Sequence, residues 1–181
     1  MNSRCLFLSL SAVFAFASIA HAQMAAVSVR VEQQTKQDEP GFYSIQTGRT
    51  VPGKYHFEKT QKRTLKIFLT SSAKEDTTVK INYTYFGHAS GGHEVVPIDQ
   101  GEKEATLKPG VTQEVDAPTS TQTYMEEHDV GKGSSVKVPA SGNKLTGYGV
   151  QVFVADKLMG ECYEPLSMKD LMGKAPVAPK K

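Results

Sequence analysis

The sequence predicts an all-β fold: one antiparallel β-sandwich with a short C-terminal helix and an extended tail. Three observations predict it. Apolar and polar residues alternate with period two in separate runs, each placing β-branched or aromatic residues on one face. Gly- and Pro-rich turns separate these runs. No stretch between the N-terminal segment and residue 165 carries a helical period.

Residues 1–22 read as a secretory signal. Arg4 supplies a positive start. Leu6, Phe7, Leu8, Leu10, Val13, Phe14, Phe16 and Ile19 form an apolar stretch, and Ala20-His21-Ala22 is a small-x-small cleavage point. A spanning helix needs about 20 apolar residues. The expected mature chain therefore keeps no membrane span and is exported, to the periplasm, the extracellular space or the cell surface. Cys5 leaves with the signal, so Cys162 is the one cysteine that remains. An odd cysteine in an exported protein is a buried thiol, a reactive thiol or an intermolecular bridge, and a dimer through Cys162 is one expectation.

Residues 23–172 read as one domain, within the usual size of about 100–200 residues. Val27, Val29 and Val31 open the strand series. Tyr55 and Phe57 follow, then Leu65, Ile67 and Leu69, then Val79, Ile81, Tyr83 and Tyr85. Tyr148, Val150, Val152 and Val154 form the last strong run. Shorter candidates lie at residues 94–98, 103–107, 112–116, 119–125 and 135–138. Pro40-Gly41, Pro52-Gly53, Ser90-Gly91-Gly92, Lys108-Pro109-Gly110 and Ser141-Gly142-Asn143 read as reversals. Ser71-Ser72-Ala73-Lys74-Glu75-Asp76 reads as a polar hairpin loop between two strong strands. Ala155-Asp156-Lys157-Leu158 joins the last pair, and over residues 158–163 Leu158, Gly160 and Cys162 share the core-facing side. Ser167 is the expected N-cap of the short helix and Gly173 its stop. Residues 173–181, rich in Pro, Ala and Lys, read as a disordered tail.

This order resembles the immunoglobulin-like β-sandwich modules of exported bacterial proteins. The resemblance rests on the alternating segment 65–86 with its polar loop, on Leu107-Lys108-Pro109-Gly110 between two strands, and on the closing hairpin over 149–163. It covers roughly residues 65–164 and implies architecture only. The paired cysteines and the tryptophan of antibody domains have no counterpart, because the chain has no Trp. No functional residue is carried over.

Composition bounds the function. The 21 Lys+Arg and 19 Asp+Glu give a formal charge of +2, too balanced for a nucleic-acid binder. With 39% hydrophobic residues the chain is also no disordered acidic tail. Lys59, Lys62, Arg63 and Lys66 form the densest basic cluster and read as a solvated face. Tyr83 and Tyr85, in phase with Val79 and Ile81, read as core.

Catalytic patterns do not survive inspection. Gly87-His88-Ala89-Ser90-Gly91 misses the Gly-x-Ser-x-Gly elbow, and Gly131-Lys132-Gly133-Ser134 lacks the phosphate-loop spacing. His88 and His93, with Glu94, flank a flexible turn, and His128 lies in an acidic stretch. Imidazole and carboxylate donors of this kind suit zinc or copper. The sequence thus predicts a non-enzymatic, cofactor-free binding, adhesion or structural module. Its contact loops would hold Gly87, Ser90, Gly91, Gly92, Glu126, Glu127 and Lys132. The expected partner is a protein or an envelope polysaccharide, with no nucleic acid. The alternative is a metal-binding exported protein using His88, His93, Glu94 and His128.

Overall fold

A computed structural model describes residues 26–38, 58–129 and 137–175. The signal segment, Tyr55, Phe57, Lys132 and residues 176–181 lie outside the described residues. The strands are β1 (Val27–Asp38), β2 (Glu58–Ser71), β3 (Thr77–Ala89), β4 (Val96–Leu107), β5 (Thr112–Asp116), β6 (Ser120–Met125), β7 (His128–Asp129), β8 (Lys137–Val138), β9 (Ser141–Val154) and β10 (Lys157–Glu164). A 3₁₀ helix follows at Leu166–Leu171. Among the described residues no helix is long and apolar enough to cross a membrane.

All pairings between the strands are antiparallel. The main sheet runs β1-β2-β6-β9-β3-β4, with β10 beside β9 and β5 beside β2, while β7 and β8 pair on their own. The sheet doubles over at the short β6–β9 link, where Tyr124 faces Gly142 and Met125 faces Ser141. Leu65, Ile67 and Leu69 of β2 then share one buried cluster with Val79, Ile81, Tyr83 and Tyr85 of β3 and Val150 and Val152 of β9. The alternation read from the sequence is thus a true inner face. Each such side chain contributes roughly 1.5–3 kcal/mol by leaving water. Trimming Ile81, fully buried, to Ala would cost about 2–5 kcal/mol.

The structure corrects several expectations. The segment after Ser71 is not a hairpin loop: β2 pairs with β1, β5 and β6, whereas β3 pairs with β4 and β9. Both strands carry strongly apolar inner faces, and the connection sets those faces opposite each other instead of placing the strands side by side. Ser141-Gly142-Asn143 is not a free reversal but the start of β9, held by β6, with Gly142 at a φ of 78°. Gly87, His88 and Ala89 belong to β3, not to a loop, because β9 pairs with them at Leu145, Lys144 and Asn143. The candidates at 94–98 and 103–107 are one strand, β4, with an irregularity opposite Tyr85 and Phe86.

Two more corrections concern the C-terminal region. A register shift between Leu158 and Gly160 turns Leu158 out to solvent and brings Met159 and Cys162 against the core. Such a bulge reverses the parity that the sequence pattern assumes. The helix is 3₁₀ and starts after Pro165, with no side-chain cap, so Ser167 lies inside it. Gly173 follows it at a φ of 78°, in its expected place as a stop. Met168 and Met172 reach Gly147 and Gly149 of β9, next to fully buried Phe86. That small cluster lies on the outer face of β3 and β9 and holds the 3₁₀ helix there.

The edges of the two halves approach each other. Gly160 of β10 lies so close to β1 that an added Cβ would sit 2.5 Å from the Val27 carbonyl oxygen. On the opposite side Lys103 of β4 donates from Nζ to the Asp116 carbonyl oxygen at 2.5 Å.

Candidate functional site

Of the contact residues expected from the sequence, the turn holding Ser90, Gly91 and Gly92 lies beside the end of β6, which Glu126 and Glu127 follow, while Lys132 lies outside the described residues. Ser90, in the turn after β3, donates its hydroxyl to the Met125 carbonyl oxygen at 2.7 Å. Its backbone N–H bonds the Gly142 carbonyl at 2.9 Å. Gly91 takes a φ of 81°, as the turn requires. The turn holding Ser90, Gly91 and Gly92 is therefore tied to the end of β6 and to Glu126 and Glu127 just beyond it. Gly87 is buried in β3 and presents nothing to solvent.

Charges ring this end. Lys59 Nζ and Lys144 Nζ lie 3.5 and 3.8 Å from Glu126, and Lys137 Nζ lies 2.6 Å from Glu127. Lys144 also stands over the Tyr124 ring, 5.5 Å from its centroid. Exposed pairs of this type add at most about 1 kcal/mol to stability. They hold charges of alternating sign in fixed positions.

Beneath this rim lies a polar corner. Lys59, Gln61 and Arg63 project from the same side of β2 as Leu65, Ile67 and Leu69. The β6 ladder on β9 ends at Gly142 and the β10 ladder begins at Tyr148. Between them Leu145 has no strand on that side among the described residues. Gln61 accepts the Leu145 N–H at 3.0 Å, and Arg63 Nη2 donates to the Leu145 carbonyl at 3.5 Å. Among the described residues Nε and Nη1 of Arg63 have no hydrogen-bond partner, and neither has the hydroxyl of Ser120, directly opposite Arg63 on β6. Burial pushes the guanidinium below its ordinary range, and the Glu164 carboxylate partly offsets this.

Arg63 was expected in a solvated basic face. Lys62 and Lys66 do point outward, to Asp38 at 3.1 Å and Glu114 at 2.5 Å, but Arg63 is buried. The signal that finds it is parity: positions 61 and 63 are in phase with the apolar positions 65, 67 and 69.

Cys162 sits near this corner, half-buried against the core. Burial raises its thiol above the usual range, while the neighbouring Tyr148 side chain acts in the opposite direction. The Tyr148 hydroxyl donates to Glu164 at 3.1 Å, and burial pushes that phenol up. A thiol held protonated is a poor nucleophile at neutral pH.

His88 Nδ1 contacts the Ala89 carbonyl oxygen at 3.0 Å, and His93 and Glu94 are exposed. His128 falls in β7, and its side chain lies outside the described residues. Among the described residues no three His, Cys, Asp or Glu side chains come together as a metal-binding group.

No family model matches the chain, and no curated protein matches it. Two solved structures are similar in part. One is a Bacteroides fragilis chain named as a beta-galactosidase, at a TM-score of 0.42 and 13% identity, covering 76% of this chain. This chain spans only 17% of that one. The other is a protein from Akkermansia muciniphila, at a TM-score of 0.37 and 14% identity, covering 84% of this chain and 79% of that one.

Proposed function

We propose that this chain is an exported, non-enzymatic binding module on an immunoglobulin-like β-sandwich. Its contact surface is the end built from the Ser90-Gly91-Gly92 turn and the Glu126-Glu127 segment. The observation that carries the reading is the Ser90–Met125 bond, which joins two sequence-distant loops into one surface. Lys59, Lys137 and Lys144 with their acidic neighbours give that surface a defined charge pattern. The apolar stretch and small-x-small site of residues 1–22 support export. The two halves facing each other over one core support the sandwich. A protein or polysaccharide of the cell envelope is the partner that such a surface fits.

The test is capture by the immobilised chain from the source organism's own envelope fraction. The double variant Lys59→Ala/Lys144→Ala changes only exposed or half-exposed side chains, so its stability should stay within about 0.5 kcal/mol. It should lose the captured component. Capture of the same component with equal strength by the double variant overturns the loop-end proposal.

A further inference from the structure

The outer face of β4, β3 and β9 holds a groove that the loop end does not use. Its volume is about 350 Å³, and it is lined by Asn82, Thr84, Gln100, Glu102, Gln151 and Met172. The register explains why these side chains meet. Glu102, Asn82 and Gln151 are neighbours in one cross-strand row, and Gln100, Thr84 and Gly149 in the next. Gly149 carries no side chain, so the second row leaves a gap that Met172 closes from above.

The chemistry of this lining is specific. Three carboxamides converge, and each offers donors and an acceptor. The Asn82 side-chain oxygen is buried and has no hydrogen-bond partner among the described residues. A buried acceptor left unmatched is costly and calls for an explanation. Gln151 is fixed by its nitrogen, which donates to the Tyr163 hydroxyl at 2.9 Å, so its oxygen stays available as an acceptor. Tyr163 in turn donates to Glu161, which Lys169 also holds. Among the described residues the only charge in the lining is Glu102, paired with Lys80 at 2.7 Å. The groove therefore has no net charge to attract an ion.

We infer that this groove binds a neutral saccharide unit. Each sugar hydroxyl is both donor and acceptor, which is what a ring of carboxamides matches. The Gln151 oxygen would accept a hydroxyl proton. Met172 would face the apolar C–H side of the ring. The site is independent of the loop end and stands whether or not that surface binds a partner.

The test is an NMR titration of the full chain with neutral hexose and N-acetylhexosamine oligomers, alongside uronate and sulfated oligomers. A neutral oligomer should shift the amides of Asn82, Gln100, Glu102 and Gln151 with a Kd of about 1 mM or tighter. Gln100 is exposed, so Gln100→Ala keeps the fold and should weaken binding about tenfold, as should Asn82→Ala. Lys59→Ala/Lys144→Ala should leave it unchanged. The inference is overturned if no neutral oligomer shifts these amides, if the charged oligomers bind more tightly, or if binding survives both groove variants.

Discussion

The Arg63 guanidinium reaches the backbone carbonyl of Leu145, 82 residues further along the chain, at 3.5 Å. With Gln61, which takes the Leu145 N–H at 3.0 Å, it stands in for a strand that is missing there. β9 changes neighbours over residues 143–147, from β6 to β10, and its backbone groups on that side lose their ladder. A buried peptide group without a partner is costly. Two side chains of β2 supply the bonds, and the sheet can turn from one half into the other without exposing its core.

The first prediction concerns Gln61. It is buried, and its oxygen is the acceptor for the Leu145 amide. Gln61→Leu removes that acceptor and leaves the N–H buried. The expected loss is about 1–3 kcal/mol, read as a lower midpoint in urea unfolding. The Leu145 amide should exchange faster with deuterium while Val150 and Val152 keep their protection. An unchanged midpoint with unchanged Leu145 exchange would show that the corner does not depend on this bond.

Much of this fold is legible in the sequence, because alternation is a direct consequence of strand geometry. Val79, Ile81, Tyr83 and Tyr85 show it, and all four are buried. What alternation leaves open is which strand lies beside which. Two amphipathic strands joined by a short polar loop give the same pattern whether they pair or face each other, and β2 and β3 face each other. A bulge is equally silent, which is why Leu158 and Met159 exchange sides. At the loop end the sequence points to Ser90, Glu126 and Glu127, because turn residues and charge are local signals. The bond that joins them to one surface depends on the β6–β9 link, which is not local. Asn82 and Gln151 stay hidden for the same reason, since their row exists only once β3 and β9 are in register.

Cys162 carries a pH-dependent prediction. Burial raises its pKa in the folded protein, so at any given pH the thiolate is scarcer than in the unfolded chain. Labelling by a thiol reagent at pH 7 should be slow in the native state and fast in urea. The linkage has a definite sign. With the folded value above the unfolded one of about 8.5, the contribution to stability is complete below that pH. It fades as pH rises through the folded value. Urea midpoints should fall from about pH 8.5 upward in the native chain, and less so in Cys162→Ser. Rapid labelling of the native protein at pH 7 would mean that the thiol is open and activated.

The last prediction turns on the cost of keeping Arg63 where it is. Burial disfavours its charge, and among the described residues only one of its nitrogens has an acceptor, at a long 3.5 Å. Replacing a buried, poorly paired charge with an apolar side chain of similar volume is often neutral or stabilising by about 1–4 kcal/mol. Against this stands the Leu145 carbonyl, which would lose its donor at a cost of about 1–3 kcal/mol. Because the bond is long, its loss weighs at the low end of that range, while the relief of desolvation is felt in full. Arg63→Met should therefore unfold at the same urea concentration as the natural chain or a higher one. Arg63→Ala should be less stable than Arg63→Met, because it also leaves a cavity. If Arg63→Met instead loses more than about 2 kcal/mol, the guanidinium contributes more to the corner than its burial costs, and Leu145 depends on it as much as on Gln61.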